Sequence, residues 1–150
     1  MKVHWLALLF IVGLALSIPA VSAKIVEEKD GYVVSTAGDI GKGDQISGTL
    51  SVISASIRQG QLLSYSRYVY SGTTSIISDL NWGDTADSLT LTLVAPDTTL
   101  GPYYDGSDGQ INGRIYLRIS KPSGVTSGTW WNRIYGYQVT DSEDFTLSSS

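Results

Sequence analysis

Apolar and polar side chains alternate with a period of two through most of this chain, most clearly in residues 79–97, DLNWGDTADSLTLTLVAPD. There Leu89, Leu91 and Leu93 fall on one side and Ser88, Thr90 and Thr92 on the other, the pattern of a half-buried strand. An aromatic-ended segment, residues 75–82, runs into it through a polar turn, and Pro96 ends it. The same reading predicts strands over 46–57, 62–70, 114–119, 128–139 and 145–147, with β-branched and aromatic residues throughout. Turns rich in Gly, Ser and Asp separate them. No segment holds a helical period over two turns. Many short strands without helices predict an all-β chain, an antiparallel two-sheet β-sandwich spanning 45–150.

The flanks of this pattern read differently. Residues 24–44 open with a charged stretch and continue into a Gly- and Asp-dense one, which predicts a flexible lead-in or an edge strand near residues 32–34. Residues 98–113 carry Tyr103, Tyr104 and the run Asp105-Gly106-Ser107-Asp108-Gly109, and read as a long loop of the kind that often holds function. Residues 1–23 have Lys2, an apolar run over 5–18, then Pro19 and Val21-Ser22-Ala23. They predict a signal peptide and a secreted or cell-surface protein; the run is shorter than the roughly 20 residues of a membrane span, so no stable membrane insertion is expected after cleavage.

Composition narrows the chemistry. The only histidine, His4, lies in that leader, and the chain has no cysteine. A zinc site of the usual kind, a thiol nucleophile and a Ser-His-Asp arrangement are therefore closed to the mature chain. The fourteen Asp and Glu outnumber the ten Lys and Arg, and Lys2 leaves with the leader. With no basic stretch, nucleic acid is not an expected partner.

The order of pieces also resembles a known family. A Gln-Gly-Gln turn at 59–61 and a strand ending in Leu80-Asn81-Trp82 come first. Asp87-Ser88-Leu89-Thr90-Leu91-Thr92-Leu93 then runs into Ala95-Pro96-Asp97, with Gly128-Thr129-Trp130-Trp131 and Ile134-Tyr135-Gly136-Tyr137 further on. This resembles the pre-peptidase C-terminal domain and, more distantly, the P domain of proprotein convertases, over about residues 45–148. The resemblance implies a noncatalytic sandwich or jelly-roll module, attached to secreted hydrolases or standing alone at cell surfaces. Ser88, Thr90 and Thr98 depart from the family's pattern, the first two where carboxylates that help bind calcium stand in some relatives.

Three candidate sites follow. Asp105, Ser107, Asp108 and Asn112 offer oxygens at near-alternate positions beside glycines, as a calcium loop would, although a solvated turn has the same composition. Asp84 and Asp87 form a smaller acidic cluster. On residues 128–139 the side shared by Trp131, Tyr135 and Tyr137 makes an aromatic face if Trp130 and Ile134 point into the core; Tyr103, Tyr104 and Trp82 could extend it. Such a face suits an extracellular polysaccharide or a protein, and cross-strand aromatic pairs also simply cover sheets. A carboxylate-pair hydrolase is the third candidate, but nothing in the sequence brings two acids together. The expected function is a secreted, noncatalytic binding module, with calcium as the one cofactor in view. A surface component that associates with itself is the alternative.

Overall fold

A computed structural model describes residues 23–38 and 51–150. Ten strands form two sheets in which every paired neighbour is antiparallel. The strands are β1 (Ile25–Lys29), β2 (Tyr32–Thr36), β3 (Ser51–Ile57), β4 (Leu62–Val69) and β5 (Ser75–Asn81). They continue with β6 (Ser88–Val94), β7 (Thr99–Tyr103), β8 (Arg114–Ser120), β9 (Gly128–Gln138) and β10 (Glu143–Ser149). The larger sheet has the order β1-β2-β8-β5-β10-β3 and the smaller one β4-β9-β6-β7. This is the two-sheet antiparallel sandwich that the alternation predicts, and the expected leader lies outside the described residues. No helix among the described residues is long and apolar enough to cross a membrane.

The core lies between the sheets and is filled by the inward halves of the alternating strands. Ile76 and Leu80 of β5, Leu89, Leu91 and Leu93 of β6, Ile115, Leu117 and Ile119 of β8, and Trp130 and Ile134 of β9 are all buried. Burying each such side chain fully stabilises the fold by about 2 kcal/mol relative to leaving it in water. Polar groups within this layer are paired across it. The Ser78 hydroxyl on β5 donates to Asn132 Oδ1 on β9 at 2.9 Å, and Arg67 Nη1 on β4 donates to Ser149 Oγ on β10 at 2.9 Å. Both bonds tie one sheet to the other, and burial holds the Arg67 pKa below its usual value.

Several expectations change. β5 and β6, consecutive in the sequence, do not pair: β5 belongs to the larger sheet and β6 to the smaller, so the turn between them carries the chain across the sandwich. The charged stretch after the leader is an edge strand, β1, and Tyr32 and Val34 belong to an interior strand, β2, that pairs with both β1 and β8. Tyr32 is buried edge-to-face against Trp130, with ring centroids 5.7 Å apart, so the core begins well before residue 45. Residues 39–50, which hold the Gly- and Asp-dense turn, lie outside the described residues. The expected loop over 98–113 contains β7 and a 3-10 turn at Asp105–Asp108. Gly101 and Pro102 disguise β7 in the sequence, and an edge strand tolerates them.

One end of the sandwich is held by a polar cluster around Asp97, just after β6. Its Oδ1 accepts from the Tyr32 hydroxyl at 2.8 Å, and its Oδ2 from Thr126 Oγ1 at 2.7 Å and Lys121 Nζ at 2.8 Å. Burial alone would raise the Asp97 pKa, but the hydrogen bonds from Lys121, Thr126 and Tyr32 outweigh it and hold the carboxyl at about 2.

Candidate functional site

The outward half of β9 builds the most distinctive surface of the molecule. Trp130, Asn132, Ile134 and Gly136 face inward, which turns Trp131, Arg133, Tyr135 and Tyr137 to the outer side of the smaller sheet. Trp131 is 41% exposed, Tyr135 38% and Tyr137 51%, large values for rings on a central strand. With a rise of about 3.3 Å per residue, Trp131 and Tyr135 stand roughly 13 Å apart along the strand. The smaller sheet shifts register where Leu89 pairs with Gly136 and Ser88 with Gln138, leaving Tyr137 as the extra residue of a bulge. Tyr137 meets the exposed Tyr104 edge-to-face at 5.2 Å, which lengthens the row of rings.

Hydroxyl and aliphatic side chains flank this row. The β4 register places Ser66 beside Trp131, Ser64 beside Arg133 and Leu62 beside Tyr135. On the other side β6 places Val94, Thr92 and Thr90 against the same three residues. The rings are therefore flanked by hydroxyls and by the aliphatic Leu62 and Val94.

The structure separates the other proposed ring residues from this face. Tyr103 is only 3% exposed. Its hydroxyl donates to Glu27 Oε2 at 2.5 Å, and burial, followed by that carboxylate, pushes its pKa up. Trp82 is buried at the end of β5, with Nε1–H donating to the Asp87 carbonyl oxygen at 3.2 Å. Tyr103 and Trp82 are thus structural; Tyr104, Trp131, Tyr135 and Tyr137 remain on the surface.

The oxygens of the proposed calcium loop are turned to the chain's own backbone. The buried Asp105 carboxylate accepts from the N–H groups of Asn112, Gly113 and Arg114 at 3.1 to 3.3 Å. Ser107 Oγ accepts from the Tyr104 N–H at 2.8 Å, and Asp108 accepts from the N–H groups of Gln110 and Tyr116. Asn112 Nδ2 contacts Gln110 Oε1 at 3.4 Å. Gly113 shows why the loop closes here. Its φ is +73°, its carbonyl accepts from the Trp82 and Gly83 N–H groups, and a Cβ there would lie 2.7 Å from the Gly83 carbonyl carbon. Among the described residues no group of three or more acidic side chains is placed to hold a metal ion.

Two acids do come together, a feature the sequence reading missed. Glu143, first residue of β10, is hydrogen-bonded to Asp87 at the start of β6, and Asp87 Oδ1 accepts the Thr140 N–H at 3.0 Å. Burial, the hydrogen bond to Asp87, and repulsion from Asp87, Asp84 and Asp144 raise the Glu143 carboxyl to about 7. Both side chains are buried, so the pair ties the turn after β5 to the turn after β9 and offers no open carboxylate to a substrate. The nearby groove on the larger sheet, lined by Ser54, Ser56, Asn81, Trp82, Asp144 and Thr146, is shallow and hydroxyl-rich.

The outer face of the larger sheet is ionic where that of the smaller is aromatic. Arg114 is bound bidentately to Asp79, at 2.8 and 2.7 Å, and lies over the Tyr116 ring at 4.3 Å. This matched pair is saturated internally. No family model matches the chain, and no curated protein matches it.

Proposed function

We propose that this protein is an exported, noncatalytic binding module that holds a polysaccharide, at or outside the cell surface, against the outer face of the smaller sheet. The observation that carries the reading is the solvent-exposed row Trp131, Tyr135, Tyr137 and Tyr104 over the hydroxyls of Ser64, Ser66 and Thr92. Aromatic faces stack on the C–H faces of sugar rings, and neighbouring hydroxyls exchange hydrogen bonds with sugar hydroxyls. The leader-like residues 1–23 and the missing nucleophile chemistry support export and a noncatalytic role. The resemblance to secreted accessory modules points the same way.

The test is co-sedimentation with insoluble polysaccharides. Wild-type protein is expected in the pellet and Trp131→Ala in the supernatant, with equal melting midpoints. Equal retention of both proteins counts against the reading.

A second reading, association with further copies of the chain, has its own observation. β3, with the sequence SVISASI, is an edge of the larger sheet and carries neither charge nor proline. Edge strands of soluble proteins usually carry such groups to prevent pairing.

A further inference from the structure

Charge is distributed unevenly between the two sheets. The chain has fourteen Asp and Glu, yet β4, β6, β7 and β9 contain none. Those four strands carry two cations, Arg67 and Arg133. Arg67 points inward and donates to Ser149, so Arg133 is the single charged side chain that the smaller sheet's strands turn outward. It stands on β9 midway between Trp131 and Tyr135, flanked by Ser64 and Thr92. On the outer face of the larger sheet, Arg114 is locked to Asp79. The Arg133 guanidinium has no ion pair or hydrogen bond with any described residue.

An unpaired guanidinium between two exposed rings, on strands that carry no carboxylate in an acidic protein, is arranged for an anion that comes with the ligand. Arg presents a rigid fork that binds planar carboxylate, or an oxyanion of similar span, through two parallel N–H donors. The absence of acids from these four strands lowers the repulsion such a ligand would otherwise meet. We infer that the ligand is an anionic polysaccharide, with an acid group of one sugar on Arg133 and neighbouring rings against Trp131 and Tyr135. The shared chemistry is a sugar-borne oxyanion, carboxylate or sulfate. This inference rests on the proposed polysaccharide-binding role and narrows it.

The experiment measures binding of the full mature chain by calorimetry to polygalacturonate, its fully methyl-esterified neutral form, dextran sulfate, dextran and poly-glutamate. Wild type is expected to bind polygalacturonate or dextran sulfate at least tenfold more tightly than the neutral counterpart, and which of the two it prefers separates carboxylate from sulfate. Arg133→Gln is expected to lose that preference, and Arg133→Lys to recover part of it, since the charge returns without the fork. The salt dependence seen with the wild type should flatten in Arg133→Gln, and both variants should melt as the wild type does.

Equal binding of charged and neutral polymers, or an unchanged preference in Arg133→Gln, overturns the inference; loss of binding in Trp131→Ala then still upholds the broader polysaccharide reading. Poly-glutamate binding as tightly as the anionic glycans overturns it in favour of an acidic peptide. Failure of wild type to bind any of the glycans removes both the inference and the reading beneath it.

Discussion

At the scale of single residues, carboxylates in this protein act mainly as acceptors for the chain itself. Asp105 gathers three backbone N–H groups and so fixes the loop before β8. Asp105→Ala leaves those donors without their acceptor and should cost about 3 kcal/mol in a denaturant melt. Because the loop oxygens are already engaged, the melting midpoint is expected to be the same in excess calcium and in chelator, since only a ligand bound by the native state raises it. Glu143 gives a pH signature. Its native pKa of about 7 stands above the ordinary 4.5, so the native state binds its proton more tightly than the unfolded chain does. That contribution is complete below about pH 4.5 and is lost as pH rises through 7. Glu143→Gln should remove this decline in midpoint. Asp97, held at about 2, acts oppositely: it stabilises above its ordinary 3.8 and loses that effect as pH falls towards 2.

At the scale of elements, strands were legible wherever one face is buried, because burial imposes the period of two that the sequence displays. Leu89, Leu91 and Leu93 are the plainest case. β1 and β7 were not legible, since Glu27, Glu28 and Lys29 in one and Gly101 and Pro102 in the other break that period. Sheet membership was also hidden: alternation says that a strand has an inside and says nothing about which neighbour it joins. The aromatic face was readable from β9 alone. Tyr103 and Tyr104 could have been separated too, because adjacent residues of an extended chain face opposite ways, so one of them had to turn inward. Asp87 and Glu143 carry no local signal, being joined only by the fold.

Two tests belong to this scale. Gly136 lies where the turn from β3 to β4 crosses β9: its N–H donates to the Gln61 carbonyl and its own carbonyl accepts from Gly60. A Cβ there would overlap the Arg58 carbonyl oxygen, so Gly136→Ala should destabilise by about 3 kcal/mol in a urea melt. For β3, self-association predicts masses by light scattering that grow with concentration and return to monomer in Ser54→Lys, which puts a charge on the open edge. A monomer at every concentration in the wild type sinks that reading.

At the scale of the whole molecule, two outer faces of opposite character surround one core. On the larger sheet Arg114 and Asp79 satisfy each other, and the smaller sheet leaves its rings and Arg133 to the solvent. Trp131→Ala should therefore abolish binding while leaving stability within about 0.5 kcal/mol, as expected for an exposed side chain. A comparable change on the larger face, Arg114→Ala, should do the reverse by breaking the bidentate pair and leaving binding intact.

The place of β10 has a consequence in time. Among the described residues of the larger sheet β3 pairs only with β10, and β10 separates it from β5. While the chain is being synthesised, β3 emerges early and must wait for Glu143–Ser149 before it meets its described neighbour in the sheet. The larger sheet thus cannot close before β10 has emerged. A chain stopped after Gln138 would leave β3 without its β10 neighbour, and an unpaired strand exposed in that interval is open to pairing with other chains.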